Sequence, residues 1–125
     1  YAEPSQGNAE LALFGATGFT KDHEGISIYT LDGKTGYILV SDQQANLFQV
    51  FPREGTAENP HNHPLISKIA LSTNQSDGSE VSSTSLGSLF PKGIFVAMSD
   101  NKTFQIYRWE DVAGKQLKSR NNSND

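Results

Sequence analysis

No cysteine occurs among the 125 residues, which excludes a disulfide framework and thiolate metal ligation and leaves the core to packing alone. Positive charge is scarce as well. With 10 Lys and Arg against 14 Asp and Glu, the formal net charge is −4, and the cations do not gather into the cluster that a nucleic-acid footprint requires. No apolar run approaches the ~18 residues of a membrane span, so no span is expected. Tyr1-Ala2-Glu3-Pro4 lacks the basic and apolar character of a secretory leader, which would have to lie upstream. Neither a Gly-x-Ser-x-Gly elbow nor a glycine-rich phosphate loop ahead of a helix is present, which removes the support for a serine nucleophile or a nucleotide site.

What is present is a chain with 35% hydrophobic and 19% charged residues, globular by composition and of single-domain length. It is organised by a repeat. Gly36-x4-Ser41-Asp42 returns as Gly93-x5-Ser99-Asp100, and Phe48-Gln49-Val50-Phe51-x-x-Glu54 returns as Phe104-Gln105-Ile106-Tyr107-x-x-Glu110. The period, about 57 residues, is close to that of a propeller blade. Each copy reads as a continuous apolar run, a polar turn and an alternating run, hence two strands. A run that is apolar on both faces needs cover on both, which stacked blades supply. The predicted fold is therefore all-β, made of blades of four antiparallel strands.

Along the chain, the polar stretch Tyr1 to Asn8 reads as a connection and Glu10 to Phe14 as a short strand. Ile26 to Leu31 pairs with Tyr37 to Ser41 across a turn at Asp32-Gly33, since glycine tolerates the positive φ of tight hairpins. Phe48 to Phe51 and Leu65 to Leu71 complete blade one, about 22–72. Blade two, about 77–110, takes Val81 to Leu86, Gly93 to Ser99 and Thr103 to Trp109, and its fourth strand is missing. The domain is expected over 1–118, with 119–125 a polar tail. Two blades do not close a ring, and repeat architectures need about three or more units. A piece of a longer protein, or a unit that assembles, is the expectation.

Asp22-His23-Glu24-Gly25 precedes the inner strand of blade one, and Ser76-Asp77-Gly78-Ser79-Glu80 precedes that of blade two. Loops leading into inner strands line the mouth of a propeller channel, so the acids of both point at one funnel. Carboxylates with amide oxygens and no cysteine favour a hard cation such as calcium, while the same residues also serve as ordinary turn chemistry. His61-Asn62-His63 would place two imidazoles on one strand face, yet no third ligand is evident and Pro60 and Pro64 favour an exposed loop. Asn74, Asn101 and Asn121 each begin a glycosylation acceptor pattern.

Several ordered blocks carry a resemblance: Asp22 to Tyr29, Gly36 to Gln43, Ser76 to Val81, Phe90 to Ala97 and Phe104 to Glu110. Together they resemble the C-terminal part of a β-propeller phytase, over most of the chain. The resemblance implies a six-bladed propeller, of which about two blades are here, with calcium and phosphate bound at the top of the channel. Glu24, in Asp-x-Glu-Gly, resembles the family's active-site glutamate, and Asp77 the aspartate of its Thr-Asp-Gly motif, which implies catalytic roles for both. Asp22, Glu24, Gln43 and Asp77 are the metal ligands it implies, with Gln43 the glutamine that closes the second strand.

The implied activity is calcium-dependent hydrolysis of phytate, bound as a calcium complex, in a secreted or periplasmic setting. The family's other acidic motifs and most of its phosphate-gripping cations are absent from this sequence. The partner so implied is the set of missing N-terminal blades. Because fold does not fix function, a non-catalytic propeller that binds a partner stands as the alternative.

Overall fold

The computed structural model describes Gly7 and residues 10–121. Seven strands and one short helix follow in order: β1 (His23–Thr30), β2 (Gly36–Asp42), β3 (Leu47–Pro52), β4 (Ser67–Ala70), β5 (Ser79–Ser82), β6 (Ile94–Ser99), β7 (Thr103–Arg108) and α1 (Trp109–Ala113). They make one four-stranded sheet, β1-β2-β3-β4, and one three-stranded sheet, β5-β6-β7, both antiparallel. This is the meander of two adjacent blades, the second one strand short.

Because side chains alternate across a strand, each sheet presents two distinct faces. Tyr29, Leu39, Phe48 and Val50 of the first sheet meet Val81, Phe95 and Ala97 of the second in one core. Phe48 sets its ring edge-on to Phe95 at 4.9 Å. Fully burying one such side chain is worth about 1.5–3 kcal/mol, so this seam is what joins the blades. The opposite face of β2 carries Ile38 and Val40, which with Phe51 are covered by Phe14 and Phe19. That double cover is why β2 is buried along its whole length.

Glu10 to Phe14, expected as a strand, joins no ladder. Its apolar side chain at Phe14 is used as a lid, edge-on to Phe51 at 5.1 Å. The expected strand from Val81 stops at Ser82, because the chain turns back at Leu86 to Phe90, held by Leu86 N–H to Phe90 O at 3.0 Å. Trp109, expected to end a strand, instead starts α1.

The outer faces remain apolar. Ile26 and Ile28 on one side, and Phe104 and Ile106 on the other, are exposed, where a closed propeller would stack its next blades.

The repeat has a backbone cause. Arg53 N–H donates to Gly36 O and Trp109 N–H donates to Gly93 O, both at 3.0 Å, so each repeated glycine receives the end of its third strand. At Gly93 (φ +96) a Cβ would lie 1.9 Å from Ser82 O; only glycine lets the strands meet there.

The chain end is clasped under the first sheet by three aromatic residues. Tyr29 stacks on Trp109 at 3.6 Å, its hydroxyl donates to Lys92 O (2.7 Å) and accepts from Arg120 N–H (3.0 Å). Tyr37 Oη accepts from Lys118 N–H, and Trp109 Nε1–H donates to Lys118 O. Arg120, within the expected polar tail 119–125, is held by its bond to Tyr29; residues 122–125 lie outside the described residues. Burial pushes the Tyr29 phenol above the ordinary tyrosine value, keeping it a donor. Tyr29→Phe keeps the stack but strands a carbonyl and an amide, and is expected to lower unfolding free energy by about 1–3 kcal/mol. Equilibrium denaturation checks this; an unchanged midpoint would contradict it.

At the β1–β2 turn, Asp32 accepts from Lys34 N–H (2.7 Å), Thr35 N–H (2.6 Å) and the Thr35 hydroxyl (2.9 Å). The backbone bonds from Thr35 and Lys34 hold its carboxyl below the usual range. A lowered folded pKa gives stability that is present above the unfolded value, about 3.9, and lost as pH falls through the folded one. The melting gap between the native chain and Asp32→Ala is therefore expected to be constant from neutral pH to about 4 and to narrow below it. Thermal melts over that range test the sign.

Candidate functional site

Asp42, 1% exposed, closes β2 and accepts from Thr20 N–H at 3.2 and 3.1 Å and from Gln49 Nε2–H at 3.2 Å. In the second blade Asp100 accepts from Asn74 Nδ2–H at 2.9 Å, while Ser99 Oγ accepts from Asn74 N–H at 3.0 Å. The repeated Ser-Asp thus anchors, in each blade, the segment leading into the inner strand. The sequence shows that repeat but not its job, because the partners lie 22 and 26 residues away.

Those two lead-in loops are brought together at one end of the blades. A bulge in β1 between His23 and Ile26 carries Gly25 against the second loop, so close that a Cβ would sit 2.8 Å from Ser79 N. Three successive residues, Gln75 to Asp77, are tied to the end of β2 and the turn that leads from it into β3. Gln75 N–H donates to Asn46 Oδ1 (2.8 Å), Ser76 O accepts from Ser41 Oγ (2.7 Å), and Asp77 Oδ1 accepts from Gln43 Nε2–H. From its own blade Asp77 N–H meets Met98 Sδ at 3.2 Å, and Gly78 O accepts from Met98 N–H at 2.9 Å. The position of Asp77 is therefore set from both blades.

Asp22 joins the same network through Gln44. Its N–H donates to Gln44 Oε1 (2.9 Å), and its Oδ2 accepts from Gln44 Nε2–H (2.7 Å). Gln44 Nε2–H also reaches Gln43 Oε1 at 3.2 Å. A continuous hydrogen-bonded line, Asp22–Gln44–Gln43–Asp77, results. The sequence does not single out Gln44, which follows Gln43 in the turn after β2; its adjacency to Gln43 in Ser-Asp-Gln-Gln is the signal that could have found it.

Glu24 stands apart from this line. It is exposed and borders a cleft of about 230 Å³ with Phe14, Gly15, Phe19 and His23. His23 is engaged structurally, its Nε2 at 2.9 Å from Gly15 O and its ring 4.0 Å from Phe19. Among the described residues no three His, Cys, Asp or Glu side chains converge as a metal cluster. The four ligands drawn from the resemblance thus divide into a linked set, Asp22, Gln43 and Asp77, and a separate Glu24.

The imidazole pair does not form a site either: His63 Nδ1 lies 2.7 Å from Pro52 O and His61 is exposed. Glu54, exposed just beyond β3, accepts from Gly36 N–H at 3.1 Å. No helix among the described residues is long and apolar enough to cross a membrane.

Two antiparallel meanders of four and three strands, packed together with their carboxylate-bearing lead-in loops meeting at one end, are the architecture of adjacent propeller blades. The model of the Phytase family matches residues 1–124. The chain belongs to that family. It is 32% identical over 124 residues to the 3-phytase of Bacillus subtilis (strain 168), a match that covers 90% of this chain and 32% of the relative. The chain thus spans about a third of the length of that curated relative.

Proposed function

We propose that this chain contributes to the calcium-dependent hydrolysis of phosphate monoesters from phytate, supplying one sector of the cation and phosphate site at the mouth of a six-bladed propeller. The observation that carries this reading is the line Asp22–Gln44–Gln43–Asp77, which joins the lead-in loops of two blades. Its donors are carboxylate and amide oxygens, the chemistry a hard cation takes, and such a cation needs six to eight of them. Asp22, Gln43 and Asp77 would hold it from this sector, with the remaining ligands supplied by other blades. Glu24, set apart from that line, would face the reacting phosphate.

When bound, calcium supplies charge that polarises phosphoryl oxygens and lowers the pKa of a water. The chain's own part is positional. Bonds from both blades fix Asp77, its carboxylate through Gln43 and its backbone through Met98, and the contact at Gly25 keeps Glu24 beside the second loop. An acidic mouth neutralised by calcium also explains how a chain of net charge −4 can serve a dense anion. The reading places the protein in a secreted or periplasmic compartment, where calcium is plentiful.

With only one sector of the site, the 125-residue chain by itself is expected to release no phosphate from phytate in millimolar calcium beyond a heat-killed control. The full-length protein is expected to do so and to stop on chelation. Activity of the isolated chain would contradict the sector reading. A full-length protein that binds phytate without releasing phosphate would favour the non-catalytic propeller instead.

A further inference from the structure

We propose that Gln44 is the positioning residue that makes the two lead-in loops act as one cation-binding unit, an inference that rests on the calcium reading above. Both polar atoms of its side-chain amide have partners. Oε1 accepts from Asp22 N–H at 2.9 Å, and Nε2 donates to Asp22 Oδ2 at 2.7 Å and to Gln43 Oε1 at 3.2 Å. An amide has two N–H donors and one carbonyl oxygen, and here both hydrogens and the oxygen have partners.

The orientation is consequently forced. Turning the Gln44 amide over would set its oxygen against the Asp22 carboxylate and its NH2 against the Asp22 N–H, replacing attraction by repulsion at both contacts. The same logic passes to Gln43. With Oε1 accepting from Gln44, its Nε2 is the group presented to Asp77. Gln44 therefore sets the rotamer of Asp22 directly and the face of Gln43 next in line, while touching neither Asp77 nor, by its place in the network, the substrate.

Asp22 is exposed and Gln43 only half-buried. Their backbones are tied by the His23–Asp42 pairing of β1 with β2 and by a long Gln43 N–H to Asp22 O bond of 3.4 Å, but these leave the Asp22 carboxylate to Gln44 and the Gln43 amide to Gln44 and Asp77. Without Gln44, the Asp22 carboxylate regains rotamer freedom that cation binding must then remove, and the Gln43 amide is held only through Asp77. Groups that orient metal ligands in this way typically change affinity by about 10–100-fold when removed.

The test is calcium binding to the full-length protein by titration calorimetry, with phytate turnover measured in parallel. Gln44→Ala is expected to weaken calcium binding by about tenfold or more and to shift the calcium dependence of turnover by a similar factor, with kcat at saturating calcium nearly retained. Gln44→Glu keeps an acceptor for Asp22 N–H but opposes a carboxylate to Asp22 Oδ2, and is expected to bind calcium more weakly as well. Melts in chelator serve as the control for folding; Gln44 is only half-buried, and both variants are expected to melt as the native chain does.

Native calcium affinity in Gln44→Ala, with affinity lost in Asp77→Asn, would overturn the positioning role and leave the site reading intact. Native affinity in both would remove the site reading itself. A marked fall in melting temperature in chelator alongside the lost affinity would make Gln44 a structural residue and also overturn the proposal.

Discussion

Asp77→Asn in the full-length protein is expected to lower calcium-supported phytate turnover by about a hundredfold or more, an effect at the upper end of those seen on disturbing metal-site residues. The substitution preserves shape and leaves an oxygen able to accept from Gln43 Nε2–H, and the backbone bonds at Asp77 N and Gly78 O to Met98 do not involve the side chain. What changes is one negative charge. Loss of an anionic oxygen ligand weakens a hard-cation site and the stabilisation of charge that develops on the phosphoryl group.

Glu24→Gln is expected to act in the same direction, and Glu54→Gln to do little, because Glu54 lies at the end of β3 and its acceptor role toward Gly36 N–H survives as an amide oxygen. Initial rates over a calcium titration separate the cases. Equal turnover in all three variants would withdraw both lead-in loops from the active site.

Gly25→Ala is expected to damage stability and activity together. A Cβ at Gly25 would stand 2.8 Å from Ser79 N and 3.1 Å from Gly78 Cα, and these are backbone atoms that cannot rotate away. Relief requires the two lead-in loops to separate. Overpacking of this kind costs about 1–3 kcal/mol, and misplacement by about 1 Å near reacting groups can cost on the order of a hundredfold in rate. Extra calcium should restore little, because geometry rather than affinity is disturbed. A variant with native melting temperature and native turnover would show that the loops tolerate separation.

The strands were legible because their code is local. Alternation and continuous apolar runs mark β1 to β3, and the repeat carries the same reading to β6 and β7. Where distant contacts decide, sequence reading fails: Trp109 looks like a strand end until its indole is seen stacked on Tyr29. Phe14 reads as strand and serves as cover for Phe51. The meeting of the lead-in loops followed from topology alone, whereas the link between Asp22 and Asp77 through Gln44 and Gln43 did not. That link depends on the pairing of β1 with β2 and on the bulge before Ile26, and register is a property of both strands rather than of either sequence.

The central claim is that the lead-in loops of two blades form one cation site, and a double-mutant cycle on calcium affinity tests it most directly. Asp22→Asn, Asp77→Asn and the double variant of the full-length protein would be titrated with calcium under one buffer condition. Ligands of a shared site are predicted to be non-additive, with a coupling of about 0.5–3 kcal/mol. Strictly additive losses, or no loss in either single variant, would contradict the account.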